Sequence, residues 1–183
     1  MASVLVPLAQ GCEELEAVTV VDLLRRAGIH VVTAGLDEQP VRASRGVVLM
    51  PDVTLDEALQ SDYDMVVLPG GLPGADHLGD DARIIGLLQE MAADDKYTAA
   101  ICAAPRVLAR AGLLDGKRAT SYPDALETEA IPGLEYSEES VITDGNVVTS
   151  RGPGTAMDFA LHLIELLEGK AERDTVEAGM LRS

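Results

Sequence analysis

The stretch Tyr97 to Pro105, YTAAICAAP, constrains the fold more than any other part of this 183-residue chain. It begins as an apolar strand, reaches a single thiol at Cys102, and passes through two alanines and a proline into a helical run from Arg106 to Ala111. A strand that halts at a nucleophile and turns at once into a helix is a nucleophile elbow. Its hydrolase form, G-x-S-x-G, needs small residues two before and two after the nucleophile because the turn leaves no room for side chains. Ala100-Ile101-Cys102-Ala103-Ala104 has that spacing. The elbow sets Cys102 at a helix N-terminus, where unpaired amides and the helix dipole favour a thiolate. A free cysteine more often simply fills core space, so the rest of the chain has to decide between the two roles.

The chain before and after this stretch alternates strands with helices. Ser3 to Ala9 reads as a strand, followed by the turn Gln10-Gly11-Cys12 and a helix from Glu13 to Ala27, closed by Gly28. Ile29 to Ala34 is a second strand, Val47 to Met50 a short one, and Asp52 to Leu59 a short helix with Thr54 and Glu57 at capping-box spacing. Asp64 to Leu68 is a central strand. It ends in Pro69-Gly70-Gly71-Leu72-Pro73-Gly74, where three glycines and two prolines in six residues let backbone approach a ligand closely. Arg83 to Ala93 is an amphipathic helix. Lys117 to Tyr122 reads as a strand, Pro123 to Leu134 as loop with a helical turn, and Val141–Thr143 and Val147–Thr149 as a hairpin. Thr155 and Asp158 are a capping pair for a helix ending near Glu168, and Ala171 to Gly179 forms a terminal helix.

This order predicts one α/β domain over residues 1–183: a flavodoxin-like, doubly wound, mostly parallel sheet with helices on both faces. One Phe and no Trp in a chain that is 47% hydrophobic imply an aliphatic core. No run is long enough to span a membrane and the N-terminus lacks a signal-peptide pattern. Two cysteines do not make a disulfide scaffold, so the expected location is the cytoplasm. A formal net charge of −17 repels phosphate backbones and argues against stable nucleic-acid binding.

In such sheets ligands bind beyond the carboxyl ends of the strands. Gly11 to Glu16, Pro69 to Gly74 and Cys102 to Pro105 all fall there, and their convergence makes Cys102 a functional candidate. A cysteine nucleophile commonly takes a histidine base. His30 starts a strand at the wrong end of the sheet and His162 sits in the last long helix. His77, in the loop after the glycines, is the candidate nearest the site. Residue 103 is Ala, so no histidine follows the thiol, which counts against a Cys-His peptidase. Glu16 is the better partner. Beside a thiol in a partly dry pocket its pKa rises, and its protonated form can hydrogen-bond sulfur and shuttle a proton. The amides of Gly71 and Ala103 are candidate oxyanion donors. Cys12 is a second thiol in the first loop. It reads as a small loop residue or as a thiol able to resolve an oxidised Cys102.

The runs GCEELEAVT at Gly11–Thr19, LPGG at Leu68–Gly71, AAICAAP at Ala99–Pro105 and TSRGPGT at Thr149–Thr155 resemble the ThiJ/PfpI superfamily, and within it the DJ-one/YajL-like deglycase branch. The resemblance covers nearly the whole chain. It implies a homodimer, a reactive Cys102 with Glu16 as its carboxyl partner, and backbone donors at Gly71 and Ala103. It also implies an anion site near the thiol built from Arg26 and from Arg45 reaching across the dimer. Where some members carry a histidine, this chain has Tyr122. The expected activity is a glyoxalase or deglycase that needs no cofactor or metal and acts on small reactive aldehydes or glycated amines and thiols. The alternatives are a redox sensor or holdase chaperone working through Cys102 oxidation, and, more remotely, an intracellular cysteine peptidase.

Overall fold

The computed structural model describes residues 1–182. In the first half β1 (Ser3–Leu8), β2 (His30–Gly35), β3 (Val41–Arg42), β4 (Val48–Leu49), β5 (Val53–Thr54) and β6 (Met65–Leu68) alternate with α1 (Glu14–Arg26) and α2 (Leu55–Ala58). Then come α3 (Gly74–Asp80), α4 (Ala82–Ala93), β7 (Tyr97–Ile101) and α5 (Pro105–Arg110). The chain ends with β8 (Arg118–Ala119), β9 (Glu135–Tyr136), β10 (Val141–Asp144), β11 (Val147–Ser150), α6 (Ala156–Glu168) and α7 (Lys170–Gly179).

Seven strands form one sheet in the order β10-β11-β7-β6-β1-β2-β5. Every pairing in it is parallel except the β10–β11 hairpin. The strand residues alternate between faces, as period-two geometry requires. Val4, Val6, Met65, Val67, Ala99 and Ile101 pack with α1 and α6 on one face. Leu5, Val66, Leu68 and Ala100 pack with α4 and α5 on the other. Strands buried on both sides are apolar throughout, which is why Met65–Leu68 carries no polar residue. This is the doubly wound sheet that the alternating pattern predicts.

The register sets the site. Ser150 lies opposite Ile101, Leu68 opposite Ala100, and Leu8 opposite Gly35. The carboxyl ends of β11, β7, β6 and β1 are therefore neighbours, and their loops meet at one edge.

Several local readings differ. Gly74–Asp80 is a helix, not a loop; Ala75 and Leu78 are buried three apart on its inner face, a stripe that its two glycines obscure in the sequence. Within Lys117–Tyr122 only Arg118–Ala119 is strand, pairing with β9 outside the main sheet. Thr120 leaves the ladder, and its amide bonds the Thr149 hydroxyl instead. Val48–Leu49 forms a separate hairpin with Val41–Arg42. The Thr54–Glu57 capping box is present, whereas Thr155 makes no side-chain cap for α6. Its hydroxyl serves Ser150 and Gly152.

Candidate active site

Cys102 closes β7 with φ at +65°, a left-handed conformation that costs a non-glycine residue about 1–3 kcal/mol. The surroundings hold it there. Its amide donates to the Ser150 carbonyl and its own carbonyl accepts from the Tyr122 amide, both at 2.9 Å. Ala103 and Ala104 are buried in the turn that follows, so the small-residue spacing has its steric cause.

Glu16 sits in the first turn of α1 and is fully buried. Its Oε2 accepts from the Gly70 amide at 2.8 Å. Its Oε1 takes no hydrogen bond from any N–H or O–H group, and its close neighbour is the Cys102 thiol, the two groups shifting each other's proton affinity. Burial pushes the Glu16 carboxyl up to about 7, against the pull of hydrogen bonds from Cys102 and Gly70. Burial, then the Glu16 charge and the thiol's bond to it, push Cys102 up to about 12. The amides of Gly71 and Ala103 point at the sulfur and work the other way without prevailing. Burial first, and the neighbouring carboxyl second, therefore oppose the thiolate that the helix N-terminus is expected to favour. Gly71 and Ala103, read from the sequence as oxyanion donors, lie against the sulfur.

Gly70 was not singled out by sequence reasoning, although the run of glycines was its signal. A Cβ there would lie 2.6 Å from the Cys102 Cβ, 2.7 Å from the Ile101 carbonyl oxygen and 2.8 Å from Glu16 Oε2. Only glycine lets the β6 loop pass between thiol and carboxyl. Glu14 was also missed. It is nearly buried and accepts from the Arg45 amide at 2.9 Å and the Ser44 hydroxyl at 3.1 Å, clamping the β3–β4 turn to the start of α1. Burial opposes its charge, but these bonds and those from the amides of Glu14 itself and Val47 hold its carboxyl below the usual range.

The other candidates lie apart. Arg26 is on the last turn of α1, bonded to Asp22 at 2.7 Å. Ten residues of helix separate it from Glu16, about 15 Å of rise. Within one chain it does not reach the thiol. Arg45 is exposed, and its side chain joins no ion pair among the described residues. His77 is corrected: it is exposed on α3 and lines a separate groove of about 330 Å³ with Gln10, Asp37 and Asp80. Cys12 is fully buried, and burial with its acidic neighbours pushes its thiol up to about 12, an environment suited to packing. Both cysteines are free. Tyr122 stands at the rim, half exposed. Among the described residues no group of three or more His, Cys, Asp and Glu could hold a metal, and no helix is long and apolar enough to cross a membrane.

A strained cysteine paired with a buried, weakly acidic carboxyl at the edge of a doubly wound sheet defines a class of thiol–carboxyl α/β proteins. The chain belongs to the DJ-1/PfpI family, whose model matches residues 2–166. It is 44% identical to Protein dj-1beta of Drosophila melanogaster, over 98% of this chain and 96% of that one. The crystal structure of Drosophila melanogaster DJ-1beta superposes with a TM-score of 0.94 at 43% identity, covering 100% of this chain and 98% of the other. The glutathione-independent glyoxalase DJR-1.2 of Caenorhabditis elegans is 33% identical over 96% of this chain and 92% of its own length. A structure of oxidized Toxoplasma gondii DJ-1 has a TM-score of 0.92 at 39% identity, with full coverage of both chains.

Proposed function

We propose that this protein is a glyoxalase that converts small α-oxoaldehydes to α-hydroxy acids with its own thiol and carboxyl. The observation that carries this reading is the buried Glu16 with one oxygen free beside the Cys102 sulfur. As sulfur adds to the aldehyde carbon of methylglyoxal, ionised Glu16 takes the thiol proton and hands it to the carbonyl oxygen, giving a hemithioacetal and leaving Glu16 ionised again. Glu16 then removes the proton from the sulfur-bearing carbon to form an enediol and returns it to the neighbouring carbon, leaving a thioester of lactate. Water cleaves the thioester, releasing lactate and the free thiol. No net electron transfer occurs, since one carbon is oxidised as its neighbour is reduced. The glyoxalase name of the C. elegans relative supports the reading. The same first adduct would serve deglycation of glycated amines or thiols. Methylglyoxal turnover by wild type, Cys102→Ser and Glu16→Gln tests it: lactate from wild type alone is expected, and no lactate above the Cys102→Ser background refutes it.

Oxidation of Cys102 is a second reading, favoured by the free Glu16 oxygen, which when protonated could hydrogen-bond an oxidised sulfur. The oxidised state of the T. gondii relative supports it. We further propose a homodimer. Leu15, Val18, Val47, Val48 and Met50 are about half exposed or more, from 49% to 74%. The Glu14 clamp sets the β3–β4 turn beside α1, so they form one apolar face that a second copy would cover.

A further inference from the structure

Tyr122 is anchored to the reacting residue and presents half of its ring to solvent. Its amide donates to the Cys102 carbonyl at 2.9 Å and its carbonyl accepts from the Ser121 hydroxyl at 2.9 Å. The preceding Ser121 carbonyl accepts from the Tyr136 hydroxyl at 3.2 Å. The backbone of this segment is thus fixed from three directions. The ring rests on Gly152: a Cβ at that position would stand 3.3 Å from the ring's Cδ2, so any larger residue would press on the ring. Gly152 in turn lies two residues past Ser150, whose carbonyl takes the Cys102 amide. Tyr122 is therefore tied by its backbone to the cysteine turn and by its ring to the loop after β11, and 52% of the residue is exposed. On the other side Leu72 follows directly on Gly71, whose amide meets the sulfur, and is 51% exposed.

We propose that Tyr122 is a specificity-determining wall that receives the non-reacting substituent of the substrate, favouring aromatic and branched apolar α-oxoaldehydes over charged ones. This rests on the proposed aldehyde chemistry for its substrate, though not for the wall itself. The electrostatics agree. Glu13, Glu14 and Glu16 all lie near the thiol loops, and the chain carries a net charge of −17, so a substituent bearing a carboxylate is repelled. Arg106 and Arg151, the cations next to the cysteine turn and to Gly152, are each committed to a carboxylate, Asp76 at 3.0 Å and Glu138 at 3.5 Å. An aromatic face gives an aryl group an offset-stacking surface that a methyl group cannot use.

The test compares how fast Cys102 is alkylated by iodoacetamide and by its N-phenyl analogue, by mass spectrometry of the Cys102 peptide, with free cysteine as reference. This reads the wall without any turnover. Phenylglyoxal and methylglyoxal turnover are measured alongside. Wild type is expected to favour the phenyl reagent over the reference. Tyr122→Ala should lower the preference for the phenyl-bearing compound over its counterpart about three- to tenfold in both assays, and Tyr122→Phe should keep it within about twofold. An unchanged preference in Tyr122→Ala overturns the proposal, as does an equal loss in Tyr122→Phe, which would assign the effect to the hydroxyl. If neither aldehyde is turned over while the alkylation preference falls as expected, the wall stands and the glyoxalase reading fails.

Discussion

Replacing Glu16 with Gln should make the Cys102 thiol more acidic while abolishing aldehyde turnover. Cys102 is pushed from 9.0 to about 12, and three pH units correspond to about 4 kcal/mol. Burial is the largest cause, with the Glu16 charge and the thiol's bond to Glu16 next. Two unit charges about 4 Å apart in partly screened protein repel by about 4 kcal/mol. Because burial remains in the variant, only part of the shift should be lost, about one to two units. Geometry adds to the effect. The Gly70 amide already claims one oxygen of residue 16, so a glutamine would keep its carbonyl there and turn its amide group toward sulfur, donating to a thiolate. At pH 7 the thiolate fraction should rise about 10- to 100-fold. Alkylation of Cys102 by iodoacetamide across pH 6–10 measures this, with thiolate absorbance at 240 nm as a second readout. Methylglyoxal turnover should fall by at least about 100-fold, the scale of a lost general acid–base. A thiol no more acidic than wild type, or turnover within threefold of it, would refute the coupling.

Glu16 also predicts how stability depends on pH. Its carboxyl titrates at about 7 in the folded chain against an ordinary 4.5, so the unfolded chain releases its proton first as pH rises. The associated stability is fully present below about pH 4.5 and is lost between 4.5 and 7, about 3 kcal/mol in all. Urea unfolding at pH 5 and pH 8 should show Glu16→Gln gaining on wild type at the higher pH, and equal pH dependence of the two would contradict this. Gly70→Ala should disturb both β6 and the thiol, because the new methyl meets Ile101 backbone at 2.7 Å. A loss of about 1–3 kcal/mol in thermal or urea unfolding, together with loss of Cys102-dependent turnover, is expected. Leu15→Asp, 51% exposed in the single chain, should leave monomer stability within about 1 kcal/mol but shift the mass seen by light scattering from dimer to monomer; a monomeric wild type would remove the homodimer.

The sheet was legible because its strands are short, apolar and separated by clear helix and turn signals, as in Met65–Leu68 between Ser61 and Pro69. The Cys102 turn was legible because sterics force small residues around it. What escaped was whatever depends on contacts between distant segments. The α3 helix was hidden by Gly74 and Gly79, whose low helix propensity is overridden by burial of Ala75 and Leu78. Gly70 and Glu14 act through loops from different strands, and a single chain's spacing does not say which amide meets which carboxyl. The upward push on Cys102 escaped for the same reason: the helix N-terminus can be read locally, whereas the burial that opposes it cannot. Arg26 shows the reverse limit. The resemblance that implied its role said nothing about the ten residues of helix that separate it from Glu16 within one chain.

The two readings of Cys102 make opposite demands on Glu16, and this separates them. Burial pushes both groups up, so the pair near neutral pH is a thiol beside a carboxyl that is partly protonated. Aldehyde addition suits that state, because the carboxylate accepts the thiol proton as the carbon–sulfur bond forms, so thiolate never has to accumulate. Peroxide oxidation draws on free thiolate, which the Glu16 charge suppresses. Glu16→Gln should therefore slow aldehyde turnover and speed the first oxidation of Cys102. If the same substitution slowed both, Glu16 would serve by positioning the sulfur and not by exchanging its proton. If it slowed oxidation alone, the carboxyl would belong to the redox reading.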